Sequence, residues 1–152
     1  MSTKSFLLRL SKNSFSSFFL EKLERKAYIY ILVISLFALL PLIQANALYV
    51  DDIKRVLTGF TEWGYDGRPL TTMLMRFLHI GEPLTDTSPA SQVLAISIYS
   101  LCPIYASRQF DVKSRVFLIL TGVIFTLNPF ILQNYSYIFD SISMSLAALM
   151  AT

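Results

Sequence analysis

The sequence predicts an all-α membrane protein, built as a polytopic bundle of helices. Of its 152 residues, 54% are hydrophobic and only 15% are charged, whereas an average soluble domain has roughly 25% charged residues. The apolar residues are also gathered in long runs instead of being spread over amphipathic faces. Uncharged runs of this length are typical of helices that cross a bilayer.

Three of these runs are long enough to cross the hydrocarbon core. A crossing helix needs about 20 residues, because it rises about 1.5 Å per residue across a core about 30 Å thick. We expect these spans and the apolar run that ends the sequence to form a truncated membrane domain over residues 27–152. The predicted spans are 27–48, 90–107 and 116–133, with the start of a fourth at 138–152.

Residues 1–26 precede the first span and carry charges throughout, which argues against a signal peptide. Aromatic and apolar residues at helical spacing lie among basic ones, so we predict a cytoplasmic, interfacial amphipathic helix. For residues 1–12, a disordered basic tail is the alternative. The residues that define the helical spacing are Phe15, Phe18, Phe19 and Leu23.

The distribution of charge predicts the orientation. Lys and Arg are concentrated in the N-terminal segment and in loop 108–115, whereas most acidic residues lie in loop 49–89. The positive-inside rule therefore places loop 49–89 outside, in the periplasm of a bacterial inner membrane. The formal charge of +3, without a basic and aromatic patch, argues against nucleic acid as a partner. One His and one Cys cannot form a His/Cys zinc site.

Loop 49–89 is long for a connection between spans, and we predict two short interfacial helices within it. Apolar residues at helical spacing place the first helix at 52–62 and the second at 69–80. Pro69 lies in the first turn of the second helix, a position that proline favours. Gly64 and Gly67 mark the turn between the two helices.

The loop also carries motifs that resemble those of the serotype-converting O-antigen glucosyltransferases, which are bacterial and phage membrane enzymes. The resemblance implies a GT-C-like fold that transfers glucose from undecaprenyl-phosphate glucose to O-antigen (lipopolysaccharide) repeat units. The motifs are, in order, Tyr49-Val50-Asp51-Asp52, Arg55, Trp63, Gly67-Arg68-Pro69-Leu70, Asp86-Thr87-Ser88-Pro89, Asn128-Pro129-Phe130, Asn134, Tyr137 and Phe139-Asp140.

Such a transfer needs a base for the acceptor hydroxyl and positive charge for the departing lipid phosphate. Asp51, Asp52 and Asp140 are the candidate catalytic carboxylates. One of the two adjacent aspartates is alternatively a helix N-cap, and Asp140 is alternatively the cap of the fourth helix. If the reaction uses a divalent cation, Mg²⁺ or Mn²⁺, Asp51 or Asp52 is its expected ligand; no other cofactor is expected.

Three further residues are candidates for binding the donor. Arg68 is the best candidate for the phosphate, because a guanidinium fork matches phosphate oxygens, although it can instead snorkel to lipid headgroups. Arg55 lies one helical turn beyond the aspartates and reaches either a phosphate or an aspartate. Trp63 is able to stack on the sugar, but a place in an outer aromatic belt is the simpler interpretation. The other members of that belt would be Tyr49, Tyr65, Tyr135 and Tyr137.

An enzyme is not the only function that such a bundle allows. A small non-enzymatic polytopic protein, such as a flippase-like or assembly subunit, is the alternative, and an inactive remnant is another. The long acidic loop with its Asp-Asp and Gly-Arg-Pro motifs favours the enzyme, because a passive bundle has no need of it.

The orientation is testable with reporter fusions. A fusion at Asp111 is expected to give the signal of a cytoplasmic reporter, and a fusion at Asp66 that of a periplasmic one, because Lys and Arg are retained on the cytoplasmic side. A cytoplasmic signal from the Asp66 fusion would contradict the assignment.

Overall fold

The computed structural model describes residues 20–61, 63–81, 83–110, 112 and 114–152. The part of the chain that it describes consists of helices and their connections, without a strand. The prediction of an all-α protein is therefore confirmed. The predicted amphipathic helix around Phe15, Phe18 and Phe19, and the alternative of a tail over residues 1–12, lie outside the described residues.

Eight helices occur in the described ranges. Glu21 is the N-cap of the first and forms a capping box with Glu24. The helices are α1 (Lys22–Ala45), α2 (Val50–Thr58), α3 (Pro69–Leu78), α4 (Ala90–Tyr99), α5 (Cys102–Gln109), α6 (Arg115–Thr126), α7 (Pro129–Ser136) and α8 (Ser141–Met150).

By length and composition, two stretches are able to cross a membrane: α1, and the nearly continuous α4 and α5 over Ala90–Gln109. Together, α6 and α7 pass the same test but are bent by 56°. The bend has a local cause, because Asn128 caps α7 by accepting the N–H of Phe130 and because Pro129 has no N–H to continue α6. The predicted span at 116–133 is therefore bent at Pro129.

Both helices of the long loop are present, but the first is shorter than predicted. α2 ends at Thr58 because Gly59 adopts a left-handed conformation (φ 65°) and donates its N–H to the carbonyl of Arg55. A side chain at Gly59 would collide with Pro83, so only glycine fits this turn. Trp63 lies beyond the end of α2.

The bundle is held by two principal helix pairs, α4 with α8 and α1 with α6. In the second pair, Gly122 lies directly against Ile31, where a Cβ atom would overlap the isoleucine side chain. One polar contact reinforces this approach, since the buried hydroxyls of Ser35 and Thr126 are hydrogen-bonded at 2.8 Å. Small residues and interhelical hydrogen bonds are the means by which helices associate in lipid.

A bidentate ion pair joins the start of α1 to the end of α5. Arg108 donates Nε and Nη2 to the two carboxylate oxygens of Glu24, each at 2.7 Å. The same guanidinium lies 4.8 Å from the ring centroid of Tyr105. This contact lies at the opposite end of α1 from loop 49–89.

The close approach of α1 and α6 predicts a specific loss of stability. Gly122→Ala should lower the free energy of unfolding by about 1–3 kcal/mol, because the new methyl group overlaps Ile31 and overpacks the contact. Gly64→Ala is the matched control, since a Cβ atom there would meet only the Thr72 hydroxyl, at 3.8 Å. Thermal unfolding in detergent measures both; equal effects would contradict the assigned contact.

Candidate functional site

Two arginines converge on one carboxylate at the start of α8. Arg68 donates Nη2 to Oδ1 of Asp140 at 3.2 Å and Nη1 to Oδ2 at 3.4 Å. Arg55 approaches the same carboxylate, with Nη2 3.9 Å from Oδ2. The Asp140 side chain is only 5% exposed. We call these three residues the arginine–aspartate cluster. Its two guanidinium groups carry two positive charges, and its carboxylate carries one negative charge.

The backbone on either side of Arg68 explains how its side chain is aimed. Gly67 adopts a left-handed conformation (φ 73°) with no atom near its absent Cβ, so glycine is needed here for its backbone freedom. Arg68 then precedes α3, donating its N–H to the carbonyl of Trp63 at 2.9 Å. Pro69 starts α3 at the position that proline favours. Arg68 is therefore fixed at the junction between a turn and a helix.

The guanidinium of Arg55 packs against the face of the Trp63 indole ring. The guanidinium carbon lies 4.4 Å from the centroid of the indole ring, a cation–π contact. Nε and Nη1 of Arg55 are buried and have no hydrogen-bond acceptor among the described residues. Arg55 therefore presents unused donors beside Asp140.

Trp63 and Tyr135 are not members of an aromatic belt, and that interpretation is wrong for both. Trp63 is fully buried, packed with Met75, Phe139 and other apolar side chains, and Tyr135 is 1% exposed. The physical reason is that loop 49–89 folds back onto α8 instead of lying flat on a surface. With Arg55 over its ring, Trp63 positions the guanidinium, whereas its stacking on a sugar stays a prediction.

Asp52 clamps the loop to the segment that leads into α8. Its side chain is fully buried, and it accepts the backbone N–H of Ile138 at 2.9 Å and of Phe139 at 3.4 Å. Burial raises the pKa of Asp52, while these two hydrogen bonds act in the opposite direction. The rings of Tyr49 and Tyr137, 4.5 Å apart, form a second contact between the same two segments.

Asp51 differs from its neighbour because it is exposed. Within the described ranges, no three His, Cys, Asp or Glu side chains come together as metal ligands. Both oxygens of Asp52 accept backbone N–H groups, so Asp51 has the less engaged carboxylate. A cation at Asp51 or Asp52, like the catalytic roles of the three aspartates, stays a prediction.

An apolar groove of about 620 Å³ leads away from the arginine–aspartate cluster between α3 and α8. Arg68 and Ser143 lie at its polar end. Ser143 accepts a hydrogen bond from Nη2 of Arg68 at 3.2 Å and donates to Asp140. Ser143 was not among the predicted site residues; its spacing of three residues from Asp140, one helical turn, was the available signal.

The fold and the site define a helical membrane protein with a cationic site at the head of an apolar groove. Residues 40–152 match the family described as Glucosyl transferase GtrII, and the chain belongs to this family. The family that the loop motifs resemble is thereby confirmed.

One relative comes from Salmonella phage P22 and is described as "Uncharacterized 55.3 kDa protein in gtrB 5'region". It is 30% identical over 107 residues, which cover 70% of this chain and 22% of the phage protein. This chain thus matches about a fifth of the length of that relative. No solved structure matches.

The two adjacent aspartates should differ in their effect on stability. Asp52→Asn should lower the free energy of unfolding by about 1–3 kcal/mol, because an amide turns a donor towards one of two buried backbone N–H groups. Asp51→Asn, on an exposed side chain, is the matched control and should leave the unfolding temperature unchanged. Equal effects of the two variants would contradict the clamp.

Proposed function

We propose that the chain takes part in the transfer of glucose from undecaprenyl-phosphate glucose to O-antigen repeat units at the periplasmic face of the bacterial inner membrane. The observation that carries the proposal is the convergence of Arg55 and Arg68 on Asp140 at the head of an apolar groove. Membership of a glucosyl transferase family supports the sugar. A donor with a charged phosphate and an apolar tail suits a site of this two-part character.

The reaction exchanges one bond at the anomeric carbon of glucose. The bond from this carbon to the phosphate oxygen breaks, and its electron pair leaves with the lipid phosphate. A bond forms from the acceptor hydroxyl oxygen to the same carbon, and the hydroxyl proton passes to a carboxylate. Positive charge at the leaving phosphate and a positioned base therefore both lower the barrier.

Arg68 and Arg55 supply the positive charge in this proposal. The Arg68 side chain is 38% exposed and lies at the mouth of the groove, where an entering headgroup meets it first. Arg55 is 12% exposed and is oriented by Trp63. A guanidinium matches two phosphate oxygens at once and keeps its charge when it is buried, which suits both positions.

Asp140 is the proposed proton acceptor, because it is the carboxylate that lies within the cluster. Asp51 is the second candidate, since it is exposed and begins the helix that carries Arg55. Asp52 acts instead as a positioning residue, because its oxygens are engaged by the backbone before Asp140. The three predicted carboxylates thus take different roles in the proposal.

The proposal predicts graded losses of transfer when the chain is expressed from its complete reading frame. Asp140→Asn should lower the rate by roughly 100- to 10,000-fold, because an amide cannot accept the proton. Arg68→Lys should lower it less than Arg68→Ala, since the charge survives but the fork does not. Glucose transferred to O-antigen in membrane vesicles is the quantity to measure.

Arg76→Ala is the matched control for loss of one positive charge, because Arg76 is exposed on the same helix as the groove-lining residues and lies outside the groove. It should retain transfer. Near-normal transfer by both Asp140→Asn and Asp51→Asn would contradict the proposal that one of these two carboxylates accepts the proton.

A further inference from the structure

Two tyrosines meet where loop 49–89 packs against the turn between α7 and α8. Tyr49 is the N-cap residue of α2, and Tyr137 directly follows α7. Their ring centroids are 4.5 Å apart, and the ring planes are inclined by 59°. Rings at this angle do not stack face to face, and 38% of Tyr49 is exposed. We call these two residues the tyrosine pair; it offers aromatic surface to a ligand.

Two exposed polar side chains accompany the tyrosine pair. Gln133, one turn before Tyr137, is hydrogen-bonded to the Tyr137 hydroxyl, which is also hydrogen-bonded to Tyr49. Burial and the hydrogen bond with Tyr49 raise the pKa of Tyr137, and the nearby negative charge of Asp51 raises it further. The Tyr137 hydroxyl therefore keeps its proton at neutral pH. An amide, a carboxylate and phenol hydroxyls thus lie together beside the two rings.

This combination of groups suits a neutral pyranose. The C–H groups on the face of a pyranose pack on an aromatic ring, because the face of the ring is electron-rich. The pyranose hydroxyls extend from its edge, where carboxylate and amide groups are able to pair with them. Asp51 disfavours an anionic ligand, because like charges repel most strongly at short distances. The tyrosine pair therefore selects a different class of ligand from the arginine–aspartate cluster.

An aromatic belt at the membrane surface is the alternative for the tyrosine pair. Rings that entered lipid would carry the Asp51 carboxylate and the Gln133 amide out of water, which is costly. Belt tyrosines also direct their hydroxyls towards the headgroups, whereas the hydroxyl of Tyr137 is hydrogen-bonded to Tyr49 and Gln133. Both observations favour a polar ligand over lipid.

The tyrosine pair lies close to both candidate proton acceptors. Asp51 is beside it, and Asp140 follows Tyr137 by three residues. Three peptide units limit the distance between the Cα atoms of Tyr137 and Asp140 to about 11 Å. The N–H of Ser141 donates to the carbonyl of Tyr137 at 3.2 Å, which fixes the start of α8 on this turn. A sugar on the tyrosine pair is therefore able to extend a hydroxyl towards these carboxylates.

We infer that the tyrosine pair, with Asp51 and Gln133, binds a neutral pyranose residue of the acceptor saccharide. The face of the pyranose lies on the rings, and its hydroxyls are held by the carboxylate and the amide. The inference rests on the proposed function and adds a place for the acceptor that is separate from the groove. The acceptor is favoured over donor glucose, because donor glucose is attached to a phosphate, which Arg68 attracts and Asp51 repels.

Delipidated O-antigen polysaccharide from the host bacterium is the probe, titrated into the chain in phosphatidylcholine nanodiscs. Saturation-transfer NMR measures its affinity and identifies the sugar protons that face the rings. Tyr49→Ala should weaken binding roughly 3- to 10-fold, because the ring contact is lost, and Tyr49→Phe should weaken it less. Tyr65→Ala is the matched control, since Tyr65 lies in the same loop and is 90% exposed. It should bind as the unaltered chain does.

Gln133→Ala tests the polar half of the subsite without removing a ring. It should weaken binding roughly 2- to 10-fold, because one hydrogen bond to a sugar hydroxyl is lost. Gln109→Ala, on an exposed side chain at the end of α5, is the matched control and should have no effect. Unchanged binding by both Tyr49→Ala and Gln133→Ala would overturn the subsite. A loss of membrane insertion or thermal stability in their place would assign the tyrosine pair to the aromatic belt.

Kinetics with the complete reading frame separate the acceptor from the donor. Tyr49→Ala should raise the KM for O-antigen and leave the KM for the lipid-phosphate donor unchanged. A rise in the donor KM alone would assign the tyrosine pair to donor glucose and overturn the inference, as would binding of methyl glucoside as tight as that of the polysaccharide. Saccharide binding that depends on Tyr49 and Gln133, without any glucosyl transfer, would refute the proposed function while leaving the saccharide site standing.

Discussion

The site depends on one buried carboxylate that takes no part in the proposed chemistry. Asp52 accepts backbone N–H groups from Ile138 and Phe139, which are 86 and 87 residues further along the chain. Arg55 lies one turn after Asp52 on α2, and Asp140 follows Phe139 directly, so the clamp brings them together. Burying a carboxylate is costly unless its oxygens are hydrogen-bonded, and both are. Burial raises the pKa of Asp52, and the two backbone hydrogen bonds oppose that rise.

The separate roles of Asp51 and Asp52 follow from helix geometry. Consecutive residues on a helix point about 100° apart, so where only a narrow stripe of a helix is covered, one neighbour is buried while the other is exposed. Asp52 faces α8 and is fully buried, whereas Asp51 is exposed. The sequence shows two equivalent carboxylates, and nothing in their spacing tells which one is turned inwards. Only the packing of α2 on the segment before α8 decides it.

Features set by neighbouring residues were predictable from the sequence, whereas features set by packing between distant segments were not. The helical class, the start of α3 at Pro69 and the family follow from hydropathy, local turn chemistry and motif order, which are properties of neighbouring residues. The close packing at Gly59 depends on Pro83, more than twenty residues away in sequence. The burial of Trp63 and the capture of Asp140 by Arg68 likewise depend on distant segments. From the sequence alone, Trp63 was assigned to an outer aromatic belt.

The position of Asp140 at the N-cap of α8 links the cluster to the membrane part of the bundle. The N-terminus of a helix carries partial positive charge from its free N–H groups, so an anion is favoured there even before the arginines are counted. α8 then continues as an apolar helix that lines the groove with Leu146 and Met150. One helix therefore presents an anion-favouring end and an apolar side. This arrangement comes from how α8 begins and what it packs against, and α3 completes it by placing Arg68 at the same end.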